Sequence, residues 1–232
     1  MRLLHLAFNL PLERRNIAGF RASVARAAGL EQDLFHNHRD DGSVQYRYPL
    51  VQYRAERGNA AIIGIDEGAD AIYNWYVKSE GKLLWNEAEH PLSIHRLDVR
   101  EYAIQYHETP RLYRLYQWLA LNQQHYREWD LLPDLAARVE ALDRVQVAHI
   151  LTFCRAVNWR LPERLETSVV SIAATYRTRL LGNDLVAFDL TFRSNLVLPA
   201  HIGLGKGVSH GFGVCRPERA RSKTPVRAEL HE

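Results

Sequence analysis

The most distinctive stretch of the chain is Gly203-Leu-Gly-Lys-Gly-Val-Ser-His-Gly-Phe-Gly213, which holds five of the 13 glycines. It leads into a short apolar run that ends at Cys215 and is typical of a strand, whereas a dinucleotide-binding fingerprint opens a helix. A P-loop needs Ser or Thr after Gly-Lys, but Gly207 follows Lys206 here. Two interpretations remain: a flexible hairpin loop, or a loop whose backbone amides approach a phosphate closely.

The chain before this stretch predicts two similar halves. Strands are predicted at residues 2–10, 44–55, 59–65 and 82–85, with helices at 11–29 and from Asp66, which gives the ferredoxin-like order β-α-β-β-α-β. The second half predicts a strand at 97–106, helices at 111–122 and 133–157, and a hairpin at 167–180 and 185–196 around Gly182-Asn-Asp184. We therefore predict an α+β fold of two tandem ferredoxin-like domains, at residues 1–95 and 96–216, with a flexible tail at 217–232. Three aromatic residues are predicted to be core: Tyr113, Tyr116 and Trp118.

Composition narrows the function classes only a little. The 232 residues carry a net charge of +3, which permits a nucleic-acid partner without requiring one. Cys154 and Cys215 lie far apart, which fits a reducing cytoplasm and argues against a disulfide scaffold or a zinc ribbon. No run of 18 apolar residues occurs, and the apolar N-terminus is interpreted as a first strand and not as a signal peptide. We expect a cytoplasmic protein that is not inserted in a membrane.

Two histidines, His36 and His38, follow the first predicted helix. Histidine exchanges protons near neutral pH, and RNA carries its own nucleophile in the 2′-hydroxyl, so a base, an acid and nearby cations suffice to cut RNA without a metal ion. Two alternatives stay open: a pair of solvated loop histidines, or a divalent-ion site completed by Asp40 and Asp41. The absence of a third histidine or a Cys pair at a familiar zinc spacing disfavours the metal site.

Further candidates surround the histidines. Tyr48 suits orienting a phosphate or stacking on a base, and equally suits a half-buried strand position. Arg39 and Arg47 could neutralise a phosphorane, although arginine stays protonated and is a poor proton donor. The arginines of the first helix fit either a solvated face or contacts to RNA phosphates.

Several of these motifs together resemble a known family. The glycine-rich stretch has the pattern Gly-x-Gly, then five residues, then a second Gly-x-Gly. This pattern resembles the glycine-rich loop of the RAMP superfamily, and most of all that of the CRISPR repeat-processing endoribonucleases, the Cas six family. One branch of that family has a histidine pair after the first helix. The stretches similar to that branch are Phe35-His-Asn-His38, Tyr48-Pro-Leu-Val-Gln-Tyr53 and Val147-Ala-His-Ile-Leu-Thr-Phe-Cys154.

The resemblance implies an endoribonuclease that cuts precursor repeat RNA without a metal ion or cofactor, leaving a 2′,3′-cyclic phosphate and a 5′-hydroxyl. It places His36, His38 and Tyr48 in catalysis and puts eight residues at the RNA: Arg39, Arg47, Gly203, Gly205, Lys206, Gly207, Gly211 and Gly213. Its implied partners are repeat RNA, as precursor and as mature guide, with CRISPR effector subunits and a second copy of the chain as further candidates. Some members pair the histidine with a lysine, which this loop lacks. The alternatives are a non-cleaving RAMP subunit of a CRISPR effector complex and a metal-dependent phosphoesterase unrelated to CRISPR.

Overall fold

The computed structural model describes residues 1–29, 33–35 and 47–218. Within them the chain forms two antiparallel sheets of four strands each and a separate two-stranded hairpin. The predicted α+β fold of two tandem ferredoxin-like domains is confirmed by this architecture. None of the described helices is both long and apolar enough to cross a membrane.

The first domain contains a complete ferredoxin-like unit. Its sheet has the strand order β2-β3-β1-β6, and its two helices pack on one face through apolar positions that include Phe20, Val24 and Ile72. The elements are β1 (Arg2–Pro11), α1 (Ile17–Ala28), β2 (Val51–Glu56), β3 (Asn59–Ile65), α2 (Glu67–Lys78), β4 (Lys82–Trp85), β5 (Ala88–Pro91) and β6 (Ile94–Glu101).

The strand that completes the first sheet differs from the predicted one. Residues 82–85 form β4, but β4 pairs only with β5 across a two-residue turn in which Asn86 and Glu87 have positive φ. The fourth strand of the sheet is β6, which pairs antiparallel with β1. The first sheet thus extends to Glu101, and the predicted boundary after residue 95 cuts through one of its strands.

The second domain repeats the topology with one change. Its sheet has the order β10-β7-β9-β8, which is again ferredoxin-like, but the glycine-rich segment occupies the place of the second helix. The side chains of Asn122 and Asp134 cap its two helices by accepting hydrogen bonds from backbone amides. The elements are β7 (Tyr106–Trp118), α3 (Gln123–Asp130), α4 (Leu135–Ala156), β8 (Thr167–Leu180), β9 (Asn183–Leu196) and β10 (Val214–Pro217).

The helix predicted at 111–122 is wrong, because these residues form most of β7. Tyr113 and Leu115 point inward with the alternation of a strand, and a bulge at Gln117, whose φ is +52°, then turns Trp118 inward as well. The inward-pointing residues 113, 115 and 118 are therefore not all two apart, and their spacing resembles that of a helix. Tyr113 and Trp118 are core as predicted, whereas Tyr116 is 36% exposed on the opposite face.

The hydrophobic core continues from one domain into the other. Leu3, Ile63 and Ile65 of the first sheet belong to the same buried cluster as Phe153 of α4 and Leu196 of β9. Of the tail predicted at 217–232, Pro217 ends β10, and residues 219–232 lie outside the described part of the chain. The shared core fixes how the glycine-rich segment meets the first domain.

Candidate nucleic-acid interface

The face of the first sheet that points away from its helices carries a buried polar row. Strand β2 reads Val-Gln-Tyr-Arg-Ala-Glu, so Val51 and Tyr53 face the helices while Gln52, Arg54 and Glu56 face the second domain. Strand alternation alone could have revealed this row, which sequence analysis missed. Its polar groups meet the segment that links β9 to β10.

Arg54 is the centre of this joint and is only 2% exposed. Its guanidinium donates to the carbonyl oxygens of Val208 at 2.8 Å and His201 at 3.4 Å, and to Gln52 Oε1 at 2.6 Å. Burial lowers the pKa of Arg54 to about 10, which still leaves the side chain charged at neutral pH. A buried cation thus holds the loop of the second domain against the sheet of the first.

The structure gives Tyr48 a role in the same joint and argues against the predicted catalytic role. Its hydroxyl donates to Gly203 O at 2.8 Å and accepts from Gln52 Nε2 at 2.9 Å, while its ring packs on Phe153. Burial raises the pKa of Tyr48 well above its ordinary value. A buried hydroxyl with both partners in place is not available to a phosphate. Tyr48 therefore belongs to the packing of the two domains.

Most glycines of the glycine-rich segment pack closely against other protein atoms. A Cβ on Gly213, which has a φ of +64°, would lie 1.8 Å from Leu204 O, and a Cβ on Gly203 would meet Val208 at 2.3 Å. Both glycines are buried, so the RNA contacts predicted for them are not supported by this arrangement. Gly205 and Gly207 also have positive φ and close neighbours, but they are partly accessible. The glycines allow the backbone to approach other atoms closely. We predicted a phosphate as the neighbour, but the atoms approached here belong to the protein.

Lys206 is the exposed member of the segment and lies near the buried Trp118 and the half-buried His149. Trp118 Nε1 donates to His149 Nδ1 at 3.1 Å, which leaves the proton of the neutral imidazole on Nε2. Burial, with a smaller contribution from Lys206, lowers the pKa of His149 to about 4. His149 is therefore neutral at pH 7, and the positive charge here comes from Lys206.

A basic cavity opens where the two domains meet. It has a volume of about 220 Å³ and is bordered by Arg14, Arg54, Glu56, Gly211 and Arg216, among others. Three arginines face a single carboxylate, so the cavity suits an anion such as a phosphate group. Burial lowers the pKa of Arg14, whose guanidinium lies 4.5 Å from the ring centroid of Phe212.

A larger groove, which shares Arg14 and Ile17 with this cavity, lies between α1 and the tip of the β8–β9 hairpin. Its volume is about 620 Å³, and its charged lining comes from Arg14 and Arg15 on one side and Arg179 on the other. Burial lowers the pKa of His210 at its floor to about 4, so this imidazole is neutral at pH 7. The groove and the cavity together form a basic path, and its positive charge suits a nucleic-acid strand.

His36, His38 and Arg39 lie outside the described residues, but both flanks of their segment are placed. Phe35 is buried against Trp75 of α2, and Arg47 Nη2 donates to Asp33 O at 3.1 Å. Arg47 is exposed, and the next residue, Tyr48, bonds to Gly203. The chain that resumes at Arg47 is thus joined to the glycine-rich segment through Tyr48.

The charged cluster at the joint also includes two further histidines that sequence analysis did not single out. Glu56 lies 3.0 Å from His5 Nε2 and 3.2 Å from His201 Nδ1. Burial raises the pKa of Glu56, but the hydrogen bond with His201 and the close imidazole of His5 outweigh it and hold that pKa far below its ordinary value. Glu56 is therefore ionised at neutral pH.

Comparison with known proteins supports the fold and defines the family. Two solved structures share it over 94% of this chain and all of theirs: one described as Cas6b (23% identity, TM-score 0.79) and one as the CRISPR RNA processing endoribonuclease Cas6b (22% identity, TM-score 0.68). Csf5, described as a type IV Cas6 crRNA endonuclease, matches 94% of this chain and 99% of its own at 12% identity, with a TM-score of 0.61.

A curated relative and two family models complete the comparison. An uncharacterized protein of Methanocaldococcus jannaschii is 29% identical over 96 residues, which are 41% of this chain and 64% of the relative, slightly less than two thirds of its length. The model of the Cas6b N-terminal domain matches residues 1–103, and that of the Cas6b C-terminal domain matches residues 105–217. The two models meet next to the end of β6, where the structure also divides the chain. With both of its domains matched in order, the chain belongs to the Cas6b family.

Proposed function

We propose that this Cas6b-family protein processes precursor CRISPR RNA by cutting it within its repeats, without a metal ion. The observation that carries the proposal is the match of both Cas6b domain models over nearly the whole chain. The basic path at the joint supports RNA as the ligand, because three arginines line the cavity and Arg14 also borders the larger groove.

The proposed chemistry uses groups that RNA and this chain supply. One histidine of the pair His36 and His38 removes the proton of the 2′-hydroxyl, whose oxygen attacks the adjacent phosphorus. The bond from phosphorus to the 5′-oxygen breaks, and the other histidine donates the proton that this leaving oxygen takes up. The products are a 2′,3′-cyclic phosphate and a 5′-hydroxyl. Arg14, Arg47 and Lys206 are proposed to hold neighbouring phosphates.

Cutting in the presence of a chelator tests this proposal against both alternatives. We expect end-labelled repeat RNA, mixed with excess protein and EDTA, to be cut at one position in each repeat. RNA that is bound but stays intact, with or without added Mg²⁺, would contradict the proposal and favour a non-cleaving RAMP subunit. Cutting that occurs only after a divalent ion is restored would favour a metal-dependent phosphoesterase.

The arginine at the mouth of the basic cavity provides a second test. We expect Arg14→Ala to weaken binding of repeat RNA and to reduce the steepness of its salt dependence by about one charge contact. Arg144→Ala is the matched control, because Arg144 is exposed on α4, pairs with Glu140 and does not border the cavity or the groove. Affinities measured across a salt series give the result, and equal slopes for Arg14→Ala and the wild type would remove Arg14 from the RNA path.

A further inference from the structure

Three potential metal ligands from both domains meet at the joint. His5 lies on β1 and Glu56 ends β2, whereas His201 belongs to the segment that follows β9. One ligand atom from each of the three lies within 4.8 Å of the other two. The imidazole ring centroids of His5 and His201 are 4.6 Å apart, with Glu56 beside both.

The side chain of His5 is buried without a satisfying partner. It is 2% exposed, and Nε2 lies 3.0 Å from Glu56 Oε2 at an angle that does not make a hydrogen bond among the described residues. Leaving such a polar atom unpaired costs about 1–3 kcal/mol, so a buried imidazole aimed at a carboxylate without a hydrogen bond calls for another ligand.

We propose that His5, Glu56 and His201 bind a divalent transition-metal ion, and that Zn²⁺ fits the site best. Two imidazole nitrogens and one carboxylate oxygen form a donor set that zinc accepts, whereas Mg²⁺ and Ca²⁺ prefer oxygen ligands alone. Ligands of a tetrahedral zinc ion lie about 3.4 Å apart, so small side-chain rotations complete the geometry. Glu56 also borders the basic cavity, which opens the site to water on that side.

The charges around the three ligands determine how tightly a metal ion would bind. Arg216 Nη2 lies 3.9 Å from Glu56 Oε1, but its side chain is about half exposed and can turn into solvent when an ion binds. Arg54 is fixed by its hydrogen bonds, one of them to His201 O, and its charge opposes a cation. Binding is therefore weaker than at a closed structural zinc site and is reversible by chelators.

An ion held by ligands from both domains would fasten the second domain to the first. His201 lies next to Ile202 and Gly203, which lead into the glycine-rich segment, so the ion would stabilise the arrangement that builds the basic path. This role is structural, and it differs from the proposed cutting chemistry, which uses His36 and His38. Cleavage in EDTA is thus expected to persist at temperatures at which the metal-free protein is folded.

Zinc titration of the chelator-treated protein tests the site. We expect one equivalent of ZnCl₂ to bind at pH 7.5, measured by competition with a chromophoric zinc indicator, and to raise the thermal midpoint as its concentration increases. MgCl₂ should leave the midpoint unchanged. Glu56→Gln and His201→Gln should each lose this equivalent and this rise, while circular dichroism verifies that both variants are folded.

Two matched variants show where the zinc binds. His125→Gln removes an exposed histidine on α3, and the double variant His36→Ala/His38→Ala removes the proposed catalytic pair; both should keep the zinc equivalent. The proposal is overturned if the wild type binds no zinc, if Glu56→Gln and His201→Gln bind it as the wild type does, or if the double variant loses it. The first two outcomes leave the proposed cutting chemistry untouched, whereas loss of zinc by the double variant would move the metal site to His36 and His38 and favour the metal-dependent alternative.

Discussion

Alanine at either His36 or His38 is expected to lower the single-turnover cleavage rate of repeat RNA by about 10²- to 10⁴-fold, the usual contribution of one general acid or base. The affinity for RNA should change little, because an alanine variant removes a proton carrier and leaves the arginines of the basic path in place. Single-turnover rates with excess protein, together with an independent binding measurement, separate the two effects.

The control for this experiment is an exposed histidine that the proposed chemistry does not use. His125→Ala, on α3, should cut at the wild-type rate. When two groups act in the same step, the rate losses caused by removing each of them do not add up. The double variant should therefore be little slower than the slower single variant. A double variant that cuts as fast as the wild type would remove both histidines from the reaction.

The second large effect is expected in stability, for Gly213→Ala. A Cβ at this position would lie 1.8 Å from Leu204 O, and φ is +64°, so the backbone of the glycine-rich segment must shift. We expect a loss of about 3 kcal/mol or more, from overpacking and backbone strain together, and a thermal midpoint lower by roughly 10 °C.

Gly58→Ala isolates the contribution of packing. Gly58 also has a positive φ, of +81°, but nothing lies within 4 Å of a Cβ built there. It should therefore show only the cost of the left-handed backbone, about 1–2 kcal/mol. Thermal unfolding of the two variants gives the comparison. Equal midpoints would mean that Gly213 is not packed as described and would restore the interpretation of the segment as a flexible loop.

The sequence predicted the elements that depend on local patterns. Helices α1, α2 and α4 and the β8–β9 hairpin follow from periodicity and turn residues. The structure places them within about two residues of the predicted positions, except that α1 begins at Ile17 while residue 11, the predicted start, ends β1. The glycine pattern and the histidine pair led to the family, which the domain models confirm. These patterns each lie within a short stretch of neighbouring residues, so they can be recognised in a single sequence.

The errors arose where pairing between distant residues decides the structure. Strand β4 has the composition of a sheet strand, yet β6 takes that place beside β1, and only the long-range pairing shows it. The bulge at Gln117 interrupts the alternation of inward and outward residues in β7, so this segment was predicted as a helix. The place of Tyr48 in the joint was likewise not foreseen, because nothing local shows that its hydroxyl meets Gly203, 155 residues later.

The identity of the nucleophile tests the proposed function most directly. Repeat RNA with a single 2′-deoxy nucleotide before the cut is incubated with excess wild-type protein in EDTA, beside the same RNA with ribose at that position. If the 2′-hydroxyl attacks the phosphate, the ribose RNA is cut to a fragment ending in a 2′,3′-cyclic phosphate, while the deoxy RNA is bound equally well and stays intact. Cleavage of the deoxy RNA at that position, or ribose products that lack the cyclic phosphate, would contradict the mechanism proposed for this protein.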